Sequence, residues 1–470
     1  MRLSDHSASD LSRLIAARKL APSELMADHL ALIAARNPAI NAVVSPRDPD
    51  ALLAEARAAD DAPHGGWLHG LPIAIKDLSA TKGLRTTYGS PLYADHIPDA
   101  DDLVAGRMRA AGAIFVGKTN VPEWGQGSHT FNPVFGATRN PYDLTRSAGG
   151  SSGGAAAALA ARLVPVADGS DMMGSLRNPA AFCNVYGFRP SFGLVPGDAV
   201  GDTYLATLAT LGPMARCVED LARLLQVQAG ANPEVPFDRA AEPFADRLHA
   251  DLRGKRIGWL GDWGGAFPIE PGILDLCQAA LAVFADQGAI IEALPPPYPA
   301  DKLWHSWTTL RAMLTAGGMG AWYDDPAKRA ALKPETLGEI DLGRTLTAAD
   351  VYAASVIRSR YHAAIARLFQ HYDAIALPSA QVWPFPVGWR WPQAINGVAM
   401  DTYHRWMQVA IPFSLTGLPT VALPAGFGAA GLPMGLQLAG PGGSDARILA
   451  LGQAYHLATD WPGKRPPHLD

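Results

Sequence analysis

The chain has 470 residues, 48% of them hydrophobic and 18% charged, a balance that supports a large packed core and excludes a largely disordered protein. Its 39 Lys and Arg against 44 Asp and Glu leave a net charge of -5, without the basic footprint that a phosphate backbone requires, so no directly bound nucleic acid is expected. Cys183, Cys217 and Cys277 are odd in number and form no C-x-x-C pair, which argues against a disulfide framework or a zinc site.

In chain order, 9–19 and 23–36 are predicted as amphipathic helices behind serine N-caps, with Pro22 and Pro38 punctuating them. Short aliphatic runs at 71–75, 113–116, 257–260, 290–292, 374–377, 420–423 and 436–439 are predicted as buried strands. Helices are expected between them at 101–111, 154–162, 218–228, 273–287 and 347–371, and this alternation defines an α/β class. No Ser- or Gly-rich linker divides the chain, so one interwoven domain is expected over 1–470. The segment 382–391 holds Trp383, Phe385, Trp389 and Trp391 among prolines and cannot be a regular central strand. It is either a packed surface loop or an apolar wall over a pocket. The first residues lack the basic start and apolar run of a signal peptide, and no run of about 18 apolar residues occurs. A cytoplasmic protein without membrane association is expected.

The most informative stretch is Gly149-Gly150-Ser151-Ser152-Gly153-Gly154, which runs into the alanines of 155–161. It is not a P-loop, because Ala155 and Ala156 stand where Lys and Ser or Thr would be needed. Gly149-x-Ser151-x-Gly153 fits the G-x-S-x-G nucleophile elbow, but that turn needs a buried strand upstream, and 141–147 is polar and begins with proline. An esterase of α/β-hydrolase type with Ser151 as nucleophile therefore stays as an alternative. Ser79-Ala80-Thr81-Lys82 matches S-x-x-K without a K-T-G partner, and the 13 histidines include no H-E-x-x-H pair.

A third reading joins the loop to Leu71-Pro72-Ile73-Ala74-Ile75-Lys76-Asp77 and to the run from Gly169 through Ser175 to Pro179. Together with the blocks 117–125, 132–136, 139–141, 183–190 and the tail 417–438, these segments resemble the amidase signature family, with a core at about 65–215. The resemblance implies a mixed, twisted sheet covered by helices on both faces in a single large domain. It also implies hydrolysis of a small-molecule amide by water, without metal or cofactor. Carried over by position, Ser175 is the expected nucleophile, Ser151 the bridging serine and Lys76 the terminal base. The backbone N–H groups of Met172, Met173, Gly174 and Ser175 are the expected oxyanion hole. Gly150, Ser152, Asp171 and Arg177 are expected to support the site, with a cis peptide between Gly150 and Ser151. Where the family usually has glycine before the Gly-Ser pair, this chain has Met173.

A lysine with its ordinary pKa near 10.4 is protonated at pH 7, so a lysine base requires a water-free site. Lowering that value by about three units costs about 4 kcal/mol. The folded state then binds fewer protons, and this contribution makes stability rise with pH between the lowered and free values. Trp124, Phe131 and Met173, with the tryptophan-rich segment, are expected to line an apolar acyl or amine pocket. A glutamine-hydrolysing subunit of a tRNA-dependent amidotransferase, a relative within the same family, is the other alternative. Self-association as a homodimer is left open.

Overall fold

The aliphatic runs build two sheets in the computed structural model, which describes residues 2–463 and Leu469. The smaller has three strands: Ile114–Thr119 lies between Val43–Val44, antiparallel to it, and Pro72–Lys76, parallel to it. Every residue of Pro72–Lys76 is buried, and Lys76, its last residue, pairs with Thr119.

The larger sheet has eight strands, in the order Ile290–Ala293, Arg256–Trp259, Ala374–Pro378, Pro433–Ala439, Thr420–Phe427, Tyr186–Arg189, Thr210–Ala215 and Val166–Asp171. The first three run parallel and the other pairings are antiparallel. Helices Val218–Gln228, Ile273–Asp286 and Asp445–Thr459, with Gly153–Ala160 and Arg177–Phe182, cover both faces, giving one mixed α/β domain.

Three of these strands, Tyr186–Arg189, Val166–Asp171 and Thr210–Ala215, carry no aliphatic run. Val166–Asp171 reads Val-Ala-Asp-Gly-Ser-Asp, and its polar residues are tolerated inside because Asp168 and Asp171 both find buried partners. Thr210–Ala215 contains Pro213, which cannot donate to a ladder. It pairs there only with Asp168, and the ladder to Tyr186–Arg189 begins one residue later, at Met214.

Proline did not stop the second helix where the sequence suggested. The helix runs Pro22–Ile40 with Pro38 inside it and ends at Asn41, whose φ is 57°. So close to the C-terminus Pro38 disturbs only the final turn. The helix Ala300–Asp324 lay hidden in the sequence, because Gly317, Gly318 and Gly320 lower its intrinsic propensity. It forms because Leu303, Trp307 and Leu310, at helical spacing, are buried beneath it. Among the described residues no helix is long and apolar enough to cross a membrane.

The helix Gly153–Ala160 explains the alanine run. It is buried on all sides and packs against strands of both sheets, where larger side chains would force the sheets apart. Its second residue approaches the backbone of the smaller sheet's loop so closely that a Cβ on Gly154 would lie 2.3 Å from Asn120 N and 2.8 Å from Ala42 O. Gly154→Ala is therefore expected to destabilise the protein by about 2 kcal/mol or more. Gly317→Ala, at an exposed helical position with no neighbour within 4 Å, is expected to stabilise by up to about 1 kcal/mol. Thermal melts of the two variants beside the parent chain, moving in opposite directions, check this pair.

Candidate active site

Lys76 ends its strand inside the protein, 1% exposed, with its backbone N–H donating to Asp168 Oδ1 at 2.8 Å. That bond joins the end of the smaller sheet to the edge strand of the larger one. The Lys76 amine meets three hydroxyls: Ser152 Oγ at 2.7 Å, Ser170 Oγ at 2.9 Å and Ser151 Oγ at 3.0 Å. Burial pushes its pKa down to about 7, although the carboxylates of Asp168 and Asp171 pull the other way.

Ser151 follows a cis peptide from Gly150, and Gly149 before it has a φ of +75°. A Cβ on Gly149 would meet Pro179 Cα at 2.9 Å, so close approach and its positive φ require that glycine, and one on Gly150 would meet His129 N tightly at 3.1 Å. The strand upstream, Asp143–Ser147, belongs to a two-stranded ribbon with Arg139–Asn140, outside the central sheet. The strand-turn-helix of a nucleophile elbow is therefore not formed.

The third segment is a turn organised by Asp171. Its carboxylate takes Arg177 Nε and Nη2, both at 2.9 Å, and Arg189 Nη1 at 3.2 Å. Burial alone would raise the Asp171 pKa, but the two guanidiniums hold it well below the usual carboxylate range. The same carboxylate accepts the backbone N–H groups of Gly174 at 2.8 Å and Leu176 at 3.1 Å. This corrects one expectation: the Gly174 N–H is committed to Asp171 and is not free to face an oxyanion. The N–H groups of Met172, Met173 and Ser175 have no hydrogen-bond partner among the described residues. Arg177 extends the support to Gln437 Oε1 at 2.6 Å and Ser414 Oγ at 2.7 Å.

Ser151, Ser170 and Ser175 line one cavity of about 240 Å³, together with Trp124, Met172, Met173 and Arg311. Three distant segments thus meet as the motifs suggested, with Ser152 touching the lysine directly. Trp124 stands in the wall, its ring 4.4 Å from that of Trp322. Met173 is 3% exposed and packs into the core while its surface borders the cavity.

Phe131 is elsewhere: it lines a small neighbouring cleft with Arg390 and Trp391, beside His129. The tryptophan-rich segment also misses the serines. Its residues 385–387 pair with 145–147, and Trp383, Phe385 and Trp389 wall a separate cavity of about 810 Å³. Aromatic composition, the basis of both expectations, carries no information about which cavity a ring faces.

Sequence reasoning missed Ser170, Asp168, Lys118 and Arg311. Ser170 and Asp168 alternate along a strand with no aliphatic pattern. Lys118, on the adjacent strand, is a second buried lysine, but its amine turns away to Ser79 O and to Thr81 Oγ1 at 2.8 Å. Burial lowers its pKa to about 8, so a depressed value alone does not single out Lys76. The serine contacts do. Among the described residues no His, Cys, Asp and Glu cluster is arranged to hold a metal ion.

The comparisons with known proteins bear on the same assembly. The profile of the Amidase family matches residues 24–449. An acylamidase of Rhodococcus erythropolis is 33% identical over 474 residues, covering 98% of this chain and 97% of that protein. A glutamyl-tRNA(Gln) amidotransferase subunit from Chloroflexus aurantiacus is 36% identical over 482 residues, covering 96% of each. The crystal structure of a bacterial aryl acylamidase of the amidase signature enzymes superposes with a TM-score of 0.90 at 29% identity, over 98% of this chain and 99% of that one. With the family profile spanning most of its length and the buried lysine and serines meeting at one cavity, this chain belongs to the amidase family.

Proposed function

We propose that the chain hydrolyses the C–N bond of carboxamides, aryl amides and carbamates among the candidates, with Ser175 as nucleophile, Ser151 as proton relay and neutral Lys76 as base. The observation that carries this reading is the Lys76 amine, sealed from water and 3.0 Å from Ser151 Oγ at the wall of a cavity that also exposes Ser175. A serine hydroxyl attacks a carbonyl only when its proton is removed as the bond forms. With the amine uncharged, Ser151 passes its proton to Lys76 while accepting that of Ser175, leaving an ammonium at Lys76 and the negative charge on the tetrahedral adduct.

The tetrahedral oxyanion then meets the N–H groups of Met172, Met173 and Ser175, held in place by the Asp171 turn. Such donors contribute about 10²- to 10³-fold in rate each. Collapse of that intermediate sends the relayed proton to the leaving nitrogen, and water attacks the acyl-enzyme by the same route in reverse. We place the site in one domain, with the segment 65–215 supplying all of these groups, and expect a cytoplasmic enzyme. The similarity to the amidotransferase subunit keeps glutamine hydrolysis within a complex as the alternative; turnover of simple amides by the isolated chain would argue against it.

Purified protein incubated with primary amides, anilides and carbamates, followed by mass spectrometry of a trapped adduct, is expected to locate the acyl group on Ser175. Ser175→Ala is expected to lower kcat by about 10⁴-fold or more without shifting the thermal melt, and Lys76→Ala to lower it comparably, because relay members act as a unit. Undiminished turnover by Ser175→Ala would refute the assignment. kcat/KM is expected to rise about tenfold per pH unit up to about 7 and then level, since the neutral amine is the active form. A profile that stays flat from pH 5 to 8 would contradict a lysine base.

A further inference from the structure

Arg311 projects from the helix Ala300–Asp324 into the serine cavity and is the one charged side chain among the described residues lining it. It is 7% exposed. Two of its three nitrogens are anchored: Nε donates to Glu339 Oε1 at 2.6 Å and Nη2 to the Tyr403 hydroxyl at 2.7 Å. Glu339 is itself filled, taking Thr315 Oγ1 at 2.8 Å on its other oxygen and the Tyr403 hydroxyl beside Arg311. The guanidinium is therefore neutralised and fixed in orientation from behind.

Its remaining nitrogen, Nη1, points to Met172 Sδ at 3.1 Å. A thioether is a weak acceptor, so a strong, buried, charged donor stands at the cavity wall with an inferior partner. Met172 is also three residues before Ser175 in the same turn. A substrate bound for attack by Ser175 thus brings its other atoms within the walls that Arg311 shares.

On the reading of the site given above, we infer that Arg311 is a specificity-determining residue that takes a second, neutral carbonyl oxygen of the substrate, so that diamide-type compounds are favoured over simple amides. The acceptor replaces the thioether contact with a charge-assisted hydrogen bond. A carboxylate fits less well. Glu339 already balances Arg311, and an added anion would be buried without a counter-charge while Lys76 is neutral.

The test uses anilides that share one scissile bond and differ only at the far end, which carries a carboxamide, a carboxylate or an ethyl group. One series places that end on the acyl side and a second on the amine side. In at least one series the carboxamide is expected to exceed the ethyl compound by about 10- to 100-fold in kcat/KM, the range of a hydrogen bond to a charged donor. The carboxylate should trail the carboxamide. In Arg311→Met the advantage should fall to within about threefold of unity, whatever happens to the absolute rate, since a merely structural role moves all substrates together.

The wild-type ratios decide the matter even if the variant does not fold. Equal kcat/KM for the carboxamide and ethyl members in both series overturns the inference while leaving the amide hydrolase reading intact. Preference for the carboxylate overturns it as well. An advantage that survives in folded Arg311→Met also overturns it. Absence of turnover with every anilide, primary amide and carbamate would instead sink the reading of the site on which this rests.

Discussion

Everything in this molecule is arranged around a lysine that is denied both water and a carboxylate partner. An ammonium group buried without a counter-ion is costly enough that the group sheds its proton instead. Had Asp168 or Asp171 reached the amine, the ion pair would have locked it in the charged form. Asp168 spends one oxygen on the Lys76 backbone N–H, Asp171 is occupied by Arg177 and Arg189, and the amine is left to serine hydroxyls. A hydroxyl rotates to accept from an ammonium or donate to an amine, so the same three contacts serve either protonation state.

That constraint accounts for features of the fold that otherwise look unrelated. The lysine must end a strand to reach the cavity while its stem stays dry, and the smaller sheet provides such a strand. The hydroxyls must come from two other segments without opening a water path, and the alanine-lined helix closes the gap between the sheets behind them. On the proposed mechanism, the turn that carries Ser175 must leave N–H groups free for the oxyanion. Asp171 achieves this by drawing the Gly174 and Leu176 N–H groups inward, and its two arginines offset the cost of burying the carboxylate. Arg177 then ties the turn to Ser414, in the helix Ile411–Thr416, and to Gln437, in the strand Pro433–Ala439, both more than two hundred residues away in sequence.

How much of this was legible before the structure depends on the kind of signal. All seven aliphatic runs became strands, because a run such as 71–75 has no stable place other than a buried sheet. The motif residues Lys76, Ser151 and Ser175 converged, because the glycines and alanines around them encode close approaches that few folds need. Polar elements were opaque. Val166–Asp171 and Thr210–Ala215 are strands only because specific partners satisfy their carboxylates and accommodate their proline, and such partners are invisible in one dimension. The helix Ala300–Asp324 was missed for a different reason, the low propensity of its glycines, and with it Arg311. Phe131 and the segment 382–391 show the converse: of their rings only Phe385 is buried, Trp389 is largely exposed, and they stand around other cavities. Gly174 was assigned by position in a motif, and a single carboxylate hydrogen bond reassigns its N–H to structure.

The direct test of the central claim is the titration of Lys76 itself, followed by NMR on protein with isotope-labelled lysine side chains and assigned by the signal that vanishes in Lys76→Met. The account predicts a midpoint lowered to about 7, with the amine substantially neutral at physiological pH. A Lys76 signal that stays protonated up to its ordinary range near 10.5 would show a charged ammonium in this position, and the account of the site would fail with it.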